Sequence, residues 1–139
     1  GQYRELLHYP TGVSKNLAAA GTPESNIIMQ GNEVFKVAVK TLGAIAQEAL
    51  DKAGVSKEEL DWLVPHQANI RIIQAMAKRL RMPMEKVILT VQDHGNTSAA
   101  SVPMALDVGR RDGRVRKDQL VLMEAFGGGF TWGSVLMRM

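Results

Sequence analysis

Cysteine is absent from the 139 residues, which excludes disulfide bonds, thiolate metal sites and a cysteine nucleophile within this stretch of chain. Long apolar runs are absent too: no stretch approaches the ~20 residues that cross a bilayer as a helix, so a membrane-spanning reading is dropped. No basic start leads into an apolar segment and a small-residue cleavage site, so no secretory signal is read and a cytoplasmic setting is expected. Aromatic residues make up only 5% of the chain, and the basic residues form no dense stripe. A bulk nucleic-acid binder would supply one or the other, so nucleic acid is not the expected partner. The chain also lacks a methionine start. It opens on Gly1 and runs into turn-like sequence around Pro10 and Gly12, as expected of a piece of a longer protein.

What is present reads as one globular domain. Hydrophobic residues are 45% and charged residues 22% of the chain, an ordinary balance, and a chain of this length buries roughly two thirds of its unfolded surface. The net charge of +3 favours an acidic partner. Basic residues thicken between Arg71 and Arg81, a local patch suited to a small partner.

From Gly31 to Ala53, Val34, Phe35, Ala38, Leu42, Ile45, Ala49, Leu50 and Ala53 recur at steps of three and four. That spacing predicts a helix with one buried face, stopped by Gly54. Ser56 is a plausible N-cap for the acidic turn to Glu59, and Leu60 to Val64 reads as a strand ended by Pro65. Asn69 to Leu80 is helical by period, with Ile70, Ile73, Ala77 and Leu80 inward and Arg71 and Lys78 on another face. Val87 to Val91 reads as a second strand, Gln92 to Thr97 as a polar turn, and Ser98 to Arg111 as a buried, alanine-rich helix that Pro103 weakens by one bond. Gln119 to Phe126 and Trp132 to Arg138 form an antiparallel hairpin around Gly127-Gly128-Gly129. The sum is an α/β fold, a mixed sheet with helices packed on it.

Three polar clusters fall where elements end: Pro65 to Asn69, His94 to Ser98, and the triple glycine after Phe126. Loops at strand ends are where α/β folds place their sites. Each cluster alone has a plainer reading, as a satisfied structural histidine, an Asn turn and a tight glycine loop. His66 and His94 do not read as a metal site, because two histidines fall short of the three or four ligands that zinc sites want. His8 reads as a surface residue.

In order along the chain, Trp62-Leu63-Val64-Pro65-His66-Gln67-Ala68-Asn69, His94-Gly95-Asn96-Thr97-Ser98-Ala99-Ala100-Ser101 and Glu124-Ala125-Phe126-Gly127-Gly128-Gly129-Phe130-Thr131-Trp132-Gly133 resemble the C-terminal half of the β-ketoacyl-acyl-carrier-protein synthase III family. These enzymes start type II fatty-acid synthesis. The resemblance runs from about Gly31 to the C-terminus, so the chain divides into a loosely matching segment, 1–30, and a condensing-enzyme domain, 31–139.

The resemblance implies a thiolase-like fold of two similar halves, with the site between them and this chain as the second half. The implied reaction is a decarboxylative condensation of acetyl-CoA with malonyl-carrier protein, without a cofactor, in a homodimeric whole enzyme. The family's Cys-His-Asn triad places its second and third members at His66 and Asn96. The cysteine would come from the missing N-terminal half, so the chain alone is expected to be inactive. Loss of CO2 from a malonyl thioester puts negative charge on the thioester oxygen, and donors aimed at that oxygen lower the barrier.

Gly128 matches a backbone oxyanion donor, and Phe126 walls the acyl pocket or belongs to the core. The stretch Gln67, Ala68, Asn69, Ile70 and Arg71 resembles the family's carrier-protein recognition segment, with Arg71 its key charge and Lys36, Lys78 and Arg79 as helpers. Asn69, Gly31 and Phe35 are expected to touch the pantetheine arm. Two other readings stay open: a related polyketide or signal-molecule condensing enzyme, and a module that holds pantetheine or carrier protein without turnover.

Overall fold

The computed structural model describes residues 2–11 and 26–139. Gly12, and with it part of the turn expected near Pro10, lies outside the described residues. A two-strand ribbon comes first: β1 (Leu7–His8) pairs antiparallel with β2 (Ile28–Met29). His8 is half-buried there and not on the surface.

Helix α1 (Gly31–Ala53) has the predicted bounds, and Gly54 closes it in the left-handed region at φ 65°. A short 3-10 turn, Lys57–Glu59, leads into β3 (Trp62–Pro65). Ser56 and Glu59 form a capping box there, each side chain bonding the other's end of the turn. Next come α2 (Ile70–Leu80), a single helical turn α3 (Val91–His94), α4 (Ser101–Arg111), β4 (Leu120–Gly127) and β5 (Thr131–Arg138).

The sheet order is β3-β4-β5, with β3 parallel and β5 antiparallel to β4. It is mixed, as expected, and ends in the predicted hairpin. Alternation along β3 and β4 feeds two cores. Leu63, Leu120 and Leu122 face α1 and α2, where they meet Leu42, Leu50, Ile73 and Met76; Val64 and Val121 face α4, where they meet Ala105 and Ile88. Helices therefore cover both faces of the sheet.

Four expectations are corrected. Residues 87–91 are not a strand: the segment makes one bridge, Leu63 to Val87, and then turns into α3. The reason is local, since the Gln67 side chain takes the Thr90 and Val91 N–H groups that a ladder would use. In α2, Met76 and not Ile70 is buried; Ile70 is 39% exposed at the helix start. Pro103 costs α4 no bond, because the α-helix begins at Ser101 and first-turn N–H groups have no intrahelical partner. Finally, α4 buries only Ser101, Ala105 and Gly109, so it is one-sided and not wrapped. No helix among the described residues is long and apolar enough to cross a membrane.

Candidate active site

Strand β3 delivers His66 to the end of the sheet. Its N–H donates to the Glu124 carbonyl at 2.8 Å, one step past the last ladder pair, Pro65 with Glu124. The backbone under the ring is thus an extension of the parallel pairing. Gln67 then locks the loop. It is 0% exposed; its Nε2 donates to the carbonyls of Pro65 (2.7 Å) and Ile88 (3.1 Å), and its Oε1 accepts the N–H groups of Thr90 (2.9 Å) and Val91 (3.1 Å). Every hydrogen-bonding position of that amide end is used inside the protein. Gln67 therefore cannot face a docking partner, which corrects its place in the expected carrier-protein segment.

The His66 ring is half-buried, and burial pushes its pKa below the usual histidine value. The imidazole is neutral at pH 7. Its Nδ1 lies 2.5 Å from the hydroxyl of Ser101 at the start of α4. Asn96 follows α3 in an exposed loop, and its Oδ1 accepts the Ser98 N–H at 2.9 Å. An N–H can bond only the oxygen end of the amide, so the NH2 end is the part left to donate.

His66, Ser98, Ala99, Ala125, Phe126, Gly127, Thr131, Trp132 and Gly133 line one open cavity of about 290 Å³. The first and third sequence clusters are thereby brought together, with Ser98 contributed by the second. Asn96 and Gly128 stand outside the lining, Asn96 tied to it through Ser98 and Gly128 next to Gly127. Gly128 lies in the turn beyond the last hairpin pair, Gly127 with Thr131, and its carbonyl accepts the Thr131 hydroxyl at 3.3 Å. Gly129 has φ 137°, and a Cβ there would sit 3.0 Å from the Thr131 backbone nitrogen, so only glycine turns the chain at this point.

Phe126 lines the cavity and also packs against the core, in an aromatic group with Phe130 (4.7 Å) and Trp132 (6.4 Å). Tyr3 stacks on Phe130 at 5.0 Å, so the first described residues reach the glycine turn.

Among the expected docking residues, Arg71 is exposed at the start of α2 with its guanidinium 5.6 Å from the Phe35 ring. Asn69 is the α2 N-cap, its Oδ1 accepting the Arg71 N–H at 2.8 Å. Ala68 is half-buried, Gly31 opens α1, and Lys36 is exposed and paired with Glu33 at 2.7 Å. Lys78 is exposed on α2. Arg79 lies across α1, so close to Gly43 that any Cβ there would overlap it, in a crevice shared with Glu48, Asp51 and Lys57. Acidic neighbours and that position take Arg79 off the Arg71 to Lys78 stripe. Ser98, Ala99, Ala125, Thr131, Trp132 and Gly133, like Ser101 at the end of its string, stood within the motif strings but carried no assigned role.

Residues 50–139 match the family described as 3-oxoacyl-[acyl-carrier-protein (ACP)] synthase III C terminal. This chain belongs to that family. Over 138 residues it is 59% identical to the β-ketoacyl-[acyl-carrier-protein] synthase III of Thioalkalivibrio sulfidiphilus, covering 99% of this chain and 43% of that protein. Among solved structures, the 3-oxoacyl-[acyl-carrier-protein] synthase III of Aquifex aeolicus is 45% identical with a TM-score of 0.87, over 100% of this chain and 41% of the other. The β-ketoacyl-[acyl carrier protein] synthase III of Thermus thermophilus is 38% identical with a TM-score of 0.88, over 100% of this chain and 43% of the other. The chain thus spans about two fifths of the length of the synthase III proteins it matches, and its fold is the C-terminal half of the thiolase-like fold.

Proposed function

We propose that this chain is the C-terminal half of a decarboxylating condensing enzyme that joins acetyl-CoA to malonyl-carrier protein and so starts fatty-acid synthesis. The observation that carries the reading is a neutral, half-buried His66 facing a cavity at the sheet end. Family membership supports it, with Asn96 on the adjoining loop.

In the reaction, the cysteine of the N-terminal half displaces CoA and holds the acetyl group as a thioester. The malonyl thioester then loses CO2, and the electron pair of the broken C–C bond becomes an enolate. His66 and the Asn96 amide donate to the enolate oxygen as charge develops on it. A neutral ring suits this task, since a cation in its place would hold the malonyl carboxylate charged. The enolate carbon attacks the acetyl thioester, the cysteine leaves as thiolate, and the product is a β-ketoacyl thioester on the carrier. The Gly128 N–H is assigned to the acetyl oxygen in that second step, and Phe126 to the wall of the acyl pocket. Acidic carrier protein is assigned to Arg71, assisted by Lys36 and Lys78, and the pantetheine arm to Asn69, Gly31 and Phe35.

The test uses the complete enzyme. His66→Ala and Asn96→Ala are each expected to cut CO2 release from malonyl-carrier protein by roughly 10²- to 10³-fold while acetyl transfer to cysteine survives. Equal loss of both half-reactions would refute the roles. Residues 1–139 alone are expected to form no product, and sustained turnover by them would refute the division of labour.

A further inference from the structure

The Ser101 hydroxyl has two partners among the described residues, the Gln67 N–H at 3.2 Å and His66 Nδ1 at 2.5 Å. A serine oxygen carries one proton and two lone pairs. The backbone N–H can only donate, so it occupies a lone pair and leaves the hydroxyl proton to be placed. Ser101 is 1% exposed, which leaves no room for water to take that proton. A helical serine often donates back to its own helix, but here the hydroxyl's partners both lie on the β3 loop. We propose that Ser101 is a positioning residue that fixes the tautomer of His66: its proton goes to Nδ1, and the ring hydrogen is held on Nε2.

The consequence is directional. With Nδ1 filled as an acceptor, the ring has one N–H, and it lies on the side away from α4. The Gln67 N–H orients the serine, the serine orients the ring, and Gln67 is itself anchored through four hydrogen bonds. Without the hydroxyl, the hydrogen is free to move to Nδ1, and a ring in that form presents a lone pair where an enolate oxygen needs a donor. The bond to the neutral ring also disfavours protonation, alongside the burial that lowers the pKa.

This inference rests on the condensing reading above, and its test separates the two. In the complete enzyme, Ser101→Ala is expected to lower kcat for malonyl decarboxylation by roughly 10- to 100-fold, by analogy with the partners that orient metal-ligating histidines. KM for malonyl-carrier protein should stay within about twofold, since the serine does not touch substrate. The acid limb of the pH profile should move to higher pH. Acetyl transfer to cysteine should be unchanged, which also shows that the variant folds. Ser101→Thr keeps the hydroxyl and is expected to recover most of the rate and the original acid limb. Wild-type decarboxylation and pH profile in Ser101→Ala would overturn the tautomer role and leave the condensing function intact. A proportional loss of acetylation and decarboxylation in Ser101→Ala would overturn it as well, by marking the residue as structural. If His66→Ala decarboxylates at the wild-type rate, the condensing reading itself fails.

Discussion

Glu124 presents a carboxyl group in a place that does not suit a charge. It is 1% exposed, on the same face of β4 as Leu122 and Phe126, between Pro65 of β3 and Ser134 of β5. Ser134 gives its hydroxyl proton to the Ile45 carbonyl, and neither Glu124 oxygen has a partner among the described residues. Burial alone pushes the pKa from 4.5 up to about 8, with no neighbouring charge contributing. The group is therefore a neutral acid in the fold at pH 7 and an ionised one in the unfolded chain.

The sign follows from proton counting. Between pH 4.5 and 8 the folded state holds a proton that the unfolded state has lost, so stability falls as pH rises through that window. At 1.36 kcal/mol for each pH unit above 4.5, the penalty at pH 7 is on the order of 3 kcal/mol. Glu124→Gln removes the proton exchange while keeping the shape. Denaturation by urea or heat at pH 5 and pH 7 should show the variant gaining roughly 2–3 kcal/mol on the parent between the two, equivalent to roughly 10 °C in Tm for a chain of this size. Any cost of burying the extra NH2 group is the same at both pH values and drops out of the difference. A gap between variant and parent that does not change with pH would refute the reasoning, because it would mean that Glu124 is solvated or partnered.

Gln67→Ala should destabilise by about 3 kcal/mol or more, since it strands several buried backbone groups at once, and a melting curve checks it. Gly129→Ala should cost roughly 1–3 kcal/mol by forcing a side chain into a glycine-only conformation beside Thr131, read in the same way. Decarboxylation by the complete enzyme should be flat with pH near neutrality and fall only below the ordinary histidine value, because the His66 pKa is lowered; an acid limb above pH 6.5 would contradict that. Arg71→Ala should weaken use of carrier protein, and more so at low salt, while leaving acetyl-CoA use near the parent's; equal loss with both would assign Arg71 a structural role.

Periodicity carried the helices and the hairpin, because those elements answer to patterns within their own residues. Helix α1 has the expected bounds from Gly31 to Ala53, and the triple glycine sits between two paired strands. The failures lie where a distant group decides. Residues 87–91 have a strand's composition, yet the side chain of Gln67, over twenty positions away, takes their amides. Ile70 has the right phase for burial but lies at the very start of α2, beyond the reach of the core. Glu124 gave no warning either, since a strand covered on both faces has no solvent side for alternation to reveal. At the site, His66 and Phe126 were legible from motif strings and share a cavity. The role of Ser101 was not, although the residue closes the second string, because a serine opening a helix carries no signal until its loop partner is known.

The saturation of Gln67 reaches beyond the residue itself. Its amide ties the end of β3 to the Thr90 and Val91 N–H groups, so those two protons cannot exchange with solvent unless the turn beneath His66 opens. The imidazole is then mounted on a turn whose opening frees both amides, and deuterium uptake at two distant amides becomes a gauge of whether the histidine is in place.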